Sequence, residues 1–86
     1  MQVRIPGPLR SYTANAGAVS AHGDTLSQVL ADLDQRFPGI RFRVIDEQGA
    51  IRRHIKFFIN GDQVPDLAAA IGGTDEVMIV CALSGG

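Results

Sequence analysis

Hydrophobic and polar positions along this chain change period several times, and each change marks an element. Gln2-Val3-Arg4-Ile5 alternates polar and apolar, the pattern of a half-buried strand, and Pro6 ends it. Pro6-Gly7-Pro8 and Asn15-Ala16-Gly17 are turn chemistry, and Ala18-Val19-Ser20-Ala21 returns as a second, weaker strand. After His22-Gly23 the period becomes helical. Leu26, Val29, Leu30, Leu33 and Phe37 recur at i, i+3, i+4, i+7 and i+11, while Ser27, Gln28, Asp32, Gln35 and Arg36 take the opposite face. This predicts an amphipathic helix over about residues 25–36, capped by Asp24 or Thr25 and stopped by Pro38-Gly39.

Ile40–Ile45 fits a short helix or a strand equally well. From Ile51 to Ile59 a period of two places Ile51, Arg53, Ile55, Phe57 and Ile59 inward, and Arg52, His54, Lys56 and Phe58 outward. Asn60-Gly61 is a hairpin turn, Gln63-Val64 a brief edge strand, and Leu67–Ile71 a single helical turn. Val77-Met78-Ile79-Val80-Cys81 is a continuous apolar run, as in a strand buried on both faces, with Val77, Ile79 and Cys81 on the inward parity. The first two strands suit an antiparallel hairpin, whereas a parallel pair requires a long crossover. An α+β fold satisfies both: a mixed sheet of four to five strands with one main helix on one face. With the first and last strands adjacent at its centre, it is a ubiquitin-like β-grasp.

Composition bounds the function classes. Eighty-six residues at 45% hydrophobic content support one domain with one core. The boundaries expected are a β-grasp body over 1–81 and a flexible tail over 82–86. Net charge is −1, which provides no global field for nucleic acid or an anionic membrane. No apolar stretch approaches the length that spans a bilayer, and the first residues lack the apolar core of a signal peptide, so a cytoplasmic location is expected. The single cysteine, Cys81, excludes an internal disulfide framework.

The last residues, Ala82-Leu83-Ser84-Gly85-Gly86, follow the apolar strand directly. Two glycines without side chains can enter a narrow channel and present a carboxylate to another protein's active site. In this context the sequence resembles the ubiquitin-like sulfur carrier family. The matching pieces are Ile5-Pro6 with Leu9-Arg10 and Tyr12-Thr13, then Gly23-Asp24-Thr25-Leu26, then Phe58-Ile59-Asn60-Gly61-Asp62. The last match runs from Thr74-Asp75-Glu76-Val77-Met78-Ile79 into the Gly-Gly ending. The stretches 6–13 and 52–62 lean towards the carriers of cysteine synthesis. The resemblance implies that Gly86 is adenylated by an E1-like, ATP-dependent adenylating enzyme and converted to a thiocarboxylate. Leu83, Ser84 and Gly85 would then occupy that enzyme's channel. It implies a sulfur donor protein and a sulfur-accepting synthase as further partners, with no cofactor bound to the chain and ATP consumed by the partner. Many relatives carry proline where this chain has Cys81, and proline would stiffen the tail's exit. Related roles are the small subunit of molybdopterin synthase and a ubiquitin-like protein modifier; a plain β-grasp binding module is the remaining class.

Phe58, Met78 and Val80 fall on the outward parity of two strands that neighbour each other in such a sheet, and an apolar patch there suits partner docking. Arg41, Arg43, Arg52, Arg53, His54 and Lys56 crowd the middle of the chain, as a solvated face or as an electrostatic rim for an acidic partner. Cys81 lacks a neighbouring base and is expected to be a small core residue. His22 and His54 do not make a metal site, and Gly72-Gly73 lacks the phosphate-loop pattern. No catalytic constellation is expected on the chain.

Overall fold

The computed structural model describes residues 1–82. Its first strand, β1 (Gln2–Arg4), pairs antiparallel with β2 (Ala18–Ser20), as the hairpin reading requires. The connection between them is a 3-10 helix, Gly7–Thr13, started by Pro8 and closed by Ala14 in the left-handed region. The amphipathic helix α1 spans Leu26–Arg36 and buries Leu26, Val29, Leu30 and Leu33. Thr25 caps it: its Oγ1 accepts from the Gln28 backbone N–H at 3.3 Å, and the Gln28 side chain accepts from Asp24 N–H at 2.7 Å. Gly23 is required just before this cap, because a Cβ there would lie 2.7 Å from the Val29 nitrogen.

Residues Ile40–Val44 form the short helix α2, which settles that ambiguity in favour of helix. Asp34 supports its start by accepting from the backbone N–H groups of Gly39 and Arg41, both at 3.1 Å. Strand β3 spans Ile55–Ile59 and turns through Asn60-Gly61 into β4 (Asp62–Val64). Both turn residues have positive φ, 53° and 88°, the demand that Asn-Gly meets. Strand β5, Glu76–Cys81, completes a five-stranded sheet of order β2-β1-β5-β3-β4. It runs parallel to β1 and antiparallel to β3, so the last strand lies at the centre beside the first. The core lies between one sheet face, with Val3, Ile55, Phe57, Val77 and Ile79, and the apolar stripe of α1.

Three expectations change. The strand expected from Ile51 starts only at Ile55, because its partner β5 ends opposite it: Ile55 pairs with Cys81, and the ladder's last bond is Ala82 N–H to His54 O at 2.7 Å. The residues before it are drawn to α2 instead. Arg52 N–H donates to Val44 O, Ile55 N–H closes a turn onto Arg52 O, and Arg53 is exposed rather than inward. Leu67–Ile71 is not a helical turn either. A turn at 66–69 places the Leu67 and Ala69 carbonyls where they accept from Ser27 and Leu26, the first N–H groups of α1. Those donors have no partner within the helix, so this segment serves them in place of water. Lastly, β5 is buried on one face only. Val77 and Ile79 are covered by the helix layer, while Met78 is 38% exposed and Val80 half-buried.

Candidate functional site

Sheet order determines what surrounds the end of β5. On the outer face Phe58 of β3 stands opposite Met78, and Lys56 stands opposite Val80. Parity thus brings the three sequence-selected residues together: Phe58 and Val80 are half-buried, and Met78 is open. Arg4 of β1 pairs with the other side of Met78, and its Nε lies 3.3 Å from the Glu76 carboxylate, an exposed ion pair at the patch edge. Long apolar side chains on a sheet face that no helix covers form a surface suited to another protein. The tail residues selected with them, Leu83, Ser84, Gly85 and Gly86, lie outside the described residues.

On the helix side, the same strand end opens into a cleft of about 400 Å³. Phe42 and Arg43 of α2, Arg52 and His54 of the turn before β3, and Cys81 of β5 line it. These come from segments well apart in sequence and meet because β3 begins where β5 ends. Arg52 is held in place: its Nε donates to Phe42 O at 2.8 Å and its guanidinium stacks 4.7 Å from the Phe42 ring centre. Phe42 itself is 54% exposed. Cys81 keeps its inward parity but sits half-buried at the core's edge, where burial pushes its thiol pKa up and the nearby Arg43 charge opposes that shift. The arginine-rich stretch signalled this surface; the cleft depends on tertiary placement and was missed.

Charge is unevenly divided along the chain. Segment 41–56 holds five of the eight Lys and Arg residues and two of the nine acids, net +3, leaving net −4 on the remainder. The basic segment stands where β5 leaves the body. Asp75 and Glu76 lie at the strand's other end, tied to Asn60: Asn60 Nδ2 donates to Asp75 Oδ1 and Glu76 N–H donates to Asn60 Oδ1, both at 2.9 Å. The described residues contain no group of three or more His, Cys, Asp or Glu placed to hold a metal ion, and none of their helices is long and apolar enough to cross a membrane.

A mixed sheet with first and last strands paired at its centre, one helix across it and an apolar patch on its outer face defines a ubiquitin-like β-grasp protein. The chain belongs to the ThiS family, whose model matches residues 3–86. It is 38% identical over 89 residues to the sulfur carrier protein CysO of Mycobacterium tuberculosis, covering 98% of this chain and 96% of that one. The crystal structure of that CysO superposes with a TM-score of 0.90 at 37% identity, over 95% of this chain and 98% of the other. CysO of Amycolatopsis orientalis, solved in a BexX/CysO complex, matches with a TM-score of 0.91 and 31% identity over 99% and 98% of the two chains. SAMP1 of Haloferax volcanii matches at 0.79 and 27% identity, over 100% and 98%.

Proposed function

We propose that the chain is a sulfur carrier, a protein co-substrate rather than an enzyme, and that its reacting group is the carboxylate of Gly86. A carboxylate is a poor electrophile. An E1-like adenylating enzyme would join it to AMP from ATP and release pyrophosphate. Sulfide then forms the new C–S bond as AMP leaves, giving a thiocarboxylate. If a donor protein's persulfide supplies the sulfur, its terminal sulfur displaces AMP and a second thiol cleaves the S–S bond. The likeness to CysO favours a synthase of cysteine synthesis as the sulfur acceptor.

The observation that carries this reading is the course of β5. It runs through the sheet centre and leaves the body at Ala82, between an apolar face and a basic cleft. Residues 83–86 reach about 13–14 Å when extended, enough to enter a partner's channel. Leu83, Ser84 and Gly85 would line that channel, while Phe58, Met78 and Val80 dock the body. Intact mass after reaction with the activating enzyme, ATP and a sulfur source tests it. The expected gain is one sulfur in exchange for one oxygen, lost when a residue is added after Gly86. Full activity of the extended chain, with no protease present, defeats the assignment. Isopeptide adducts on lysines would instead support the protein-modifier role suggested by the SAMP1 likeness.

A further inference from the structure

We infer that the cleft formed by Phe42, Arg43, Arg52 and His54 receives an acidic segment of the activating enzyme, through carboxylate side chains that pair with Arg43 and Arg52. This rests on the carrier reading above. The first support is charge. No acidic side chain lines the cleft, and it lies in the segment that carries net +3 while the rest of the chain carries net −4. Asp46, in the turn between α2 and β3, is engaged mainly by backbone: it accepts from Ala50 and Gln48 N–H at 3.0 and 2.9 Å, and these bonds, with a smaller contribution from the Arg52 charge, hold its carboxyl below the ordinary value.

The second support is the state of the arginines. Among the described residues the Arg43 guanidinium makes neither a hydrogen bond nor an ion pair. Arg52 uses only its Nε, so its two terminal nitrogens project from a guanidinium already fixed by the Phe42 carbonyl and ring. A guanidinium fixed in this way presents its outer edge to a carboxylate without first losing side-chain freedom. Phe42, 54% exposed beside it, adds an apolar contact that a phosphate group would not use.

The third support is position. Cys81 lines the cleft, and Ala82 N–H is bonded to His54 O at 2.7 Å, so the cleft lies at the root of the tail. The Gly86 carboxylate can lie about 13–14 Å away when the tail is extended, so the cleft engages the rim of the enzyme rather than the nucleotide in its centre. Two surfaces, the apolar face and this cleft, would then grip the body on opposite sides of the tail. Charge at a rim acts mainly on encounter and is screened by salt.

The test is thiocarboxylate formation by the activating enzyme, with the carrier concentration varied, for wild type, Arg43→Glu and Arg43→Lys. Arg43→Glu is the main variant because Arg52 also supports α2; melting temperatures confirm that each variant is folded. At about 0.05 M salt, Arg43→Glu should raise the KM for the carrier about tenfold with kcat unchanged, while Arg43→Lys stays near wild type. At about 0.5 M salt the difference should largely vanish. Equal kinetics for wild type and Arg43→Glu overturn the cleft proposal and leave the carrier reading intact. No mass gain in wild type overturns both. Salt-sensitive dimers of the chain alone in light scattering, abolished by Arg43→Glu, would assign the cleft to a second copy and overturn the proposal.

Discussion

At the scale of residues, Asn60 shows how much one position can join. Its left-handed backbone makes the β3–β4 turn, its backbone N–H donates to Glu76 O, and its side chain links Asp75 and Glu76 at the start of β5. Asn60→Ala removes both side-chain bonds and puts alanine, which tolerates the left-handed region less well than asparagine, where φ is positive. We expect a loss of about 1–3 kcal/mol, read as a lower urea midpoint at unchanged slope. The same cluster sets part of the acid response. Gly72 N–H and then the Asn60 side chain hold the Asp75 carboxyl below its ordinary value. Asp32, through His22 N–H and then Arg36, and Asp46, through Ala50 and Gln48 N–H, are lowered as well. A carboxylate whose folded pKa is depressed contributes stability above its unfolded value and loses it as pH falls through the folded one. The melting temperature should therefore hold from neutrality to about pH 5 and fall below about pH 4. Asp75→Asn should make that acid limb shallower; an unchanged limb would show that Asp75 does not contribute.

Elements differ in how much of them the chain declares locally. Helix α1 was legible because its stripe, its Thr25 cap and its Pro38 stop agree, and the β3–β4 hairpin because Asn60-Gly61 supplies two left-handed residues. The segments that departed answer to distant needs. Leu67 and Ala69 give up helical bonding to serve the N–H groups of α1, and residues 51–54 leave the sheet because β5 has ended. The candidate site divides in the same way. The adjacency of Phe58 and Met78 follows from parity once the strand order is known, whereas the Phe42–Arg52–His54 cleft joins segments that only the folded chain brings together. The outer face of β5 carries its own prediction. Met78 is exposed and faces no helix, so Met78→Asp should change folding stability by less than about 1 kcal/mol. Its affinity for the activating enzyme should fall at least about tenfold, since an apolar anchor would be replaced by a charge that must be desolvated. Unchanged binding in calorimetry would remove this face from the docking surface.

For the whole molecule, the carrier reading assigns recognition to the body and reaction to residues 83–86. The buried core residues lie between Val3 and Ile79, and Ala82 N–H bonds to His54 O just past the Ile55–Cys81 pair. Charge follows the same division, with the basic segment around the exit of β5 and Asp75 and Glu76 at the strand's far end. An acidic segment on the enzyme, as inferred above, would thus be drawn to the exit of β5, and the local field there would orient the carrier before contact. If the body supplies most of the affinity, a chain ending at Ala82 should fold with a melting temperature close to that of the full chain. It should also occupy the enzyme without being activated. Such a truncated chain is expected to inhibit thiocarboxylation of the intact carrier competitively, with an inhibition constant within about tenfold of the intact chain's KM, since only the tail's contacts are lost. Adding Met78→Asp or Arg43→Glu to the truncated chain should weaken that inhibition. A truncated chain that folds normally but does not inhibit would place the binding energy in residues 83–86 and reduce the body to a handle for the tail.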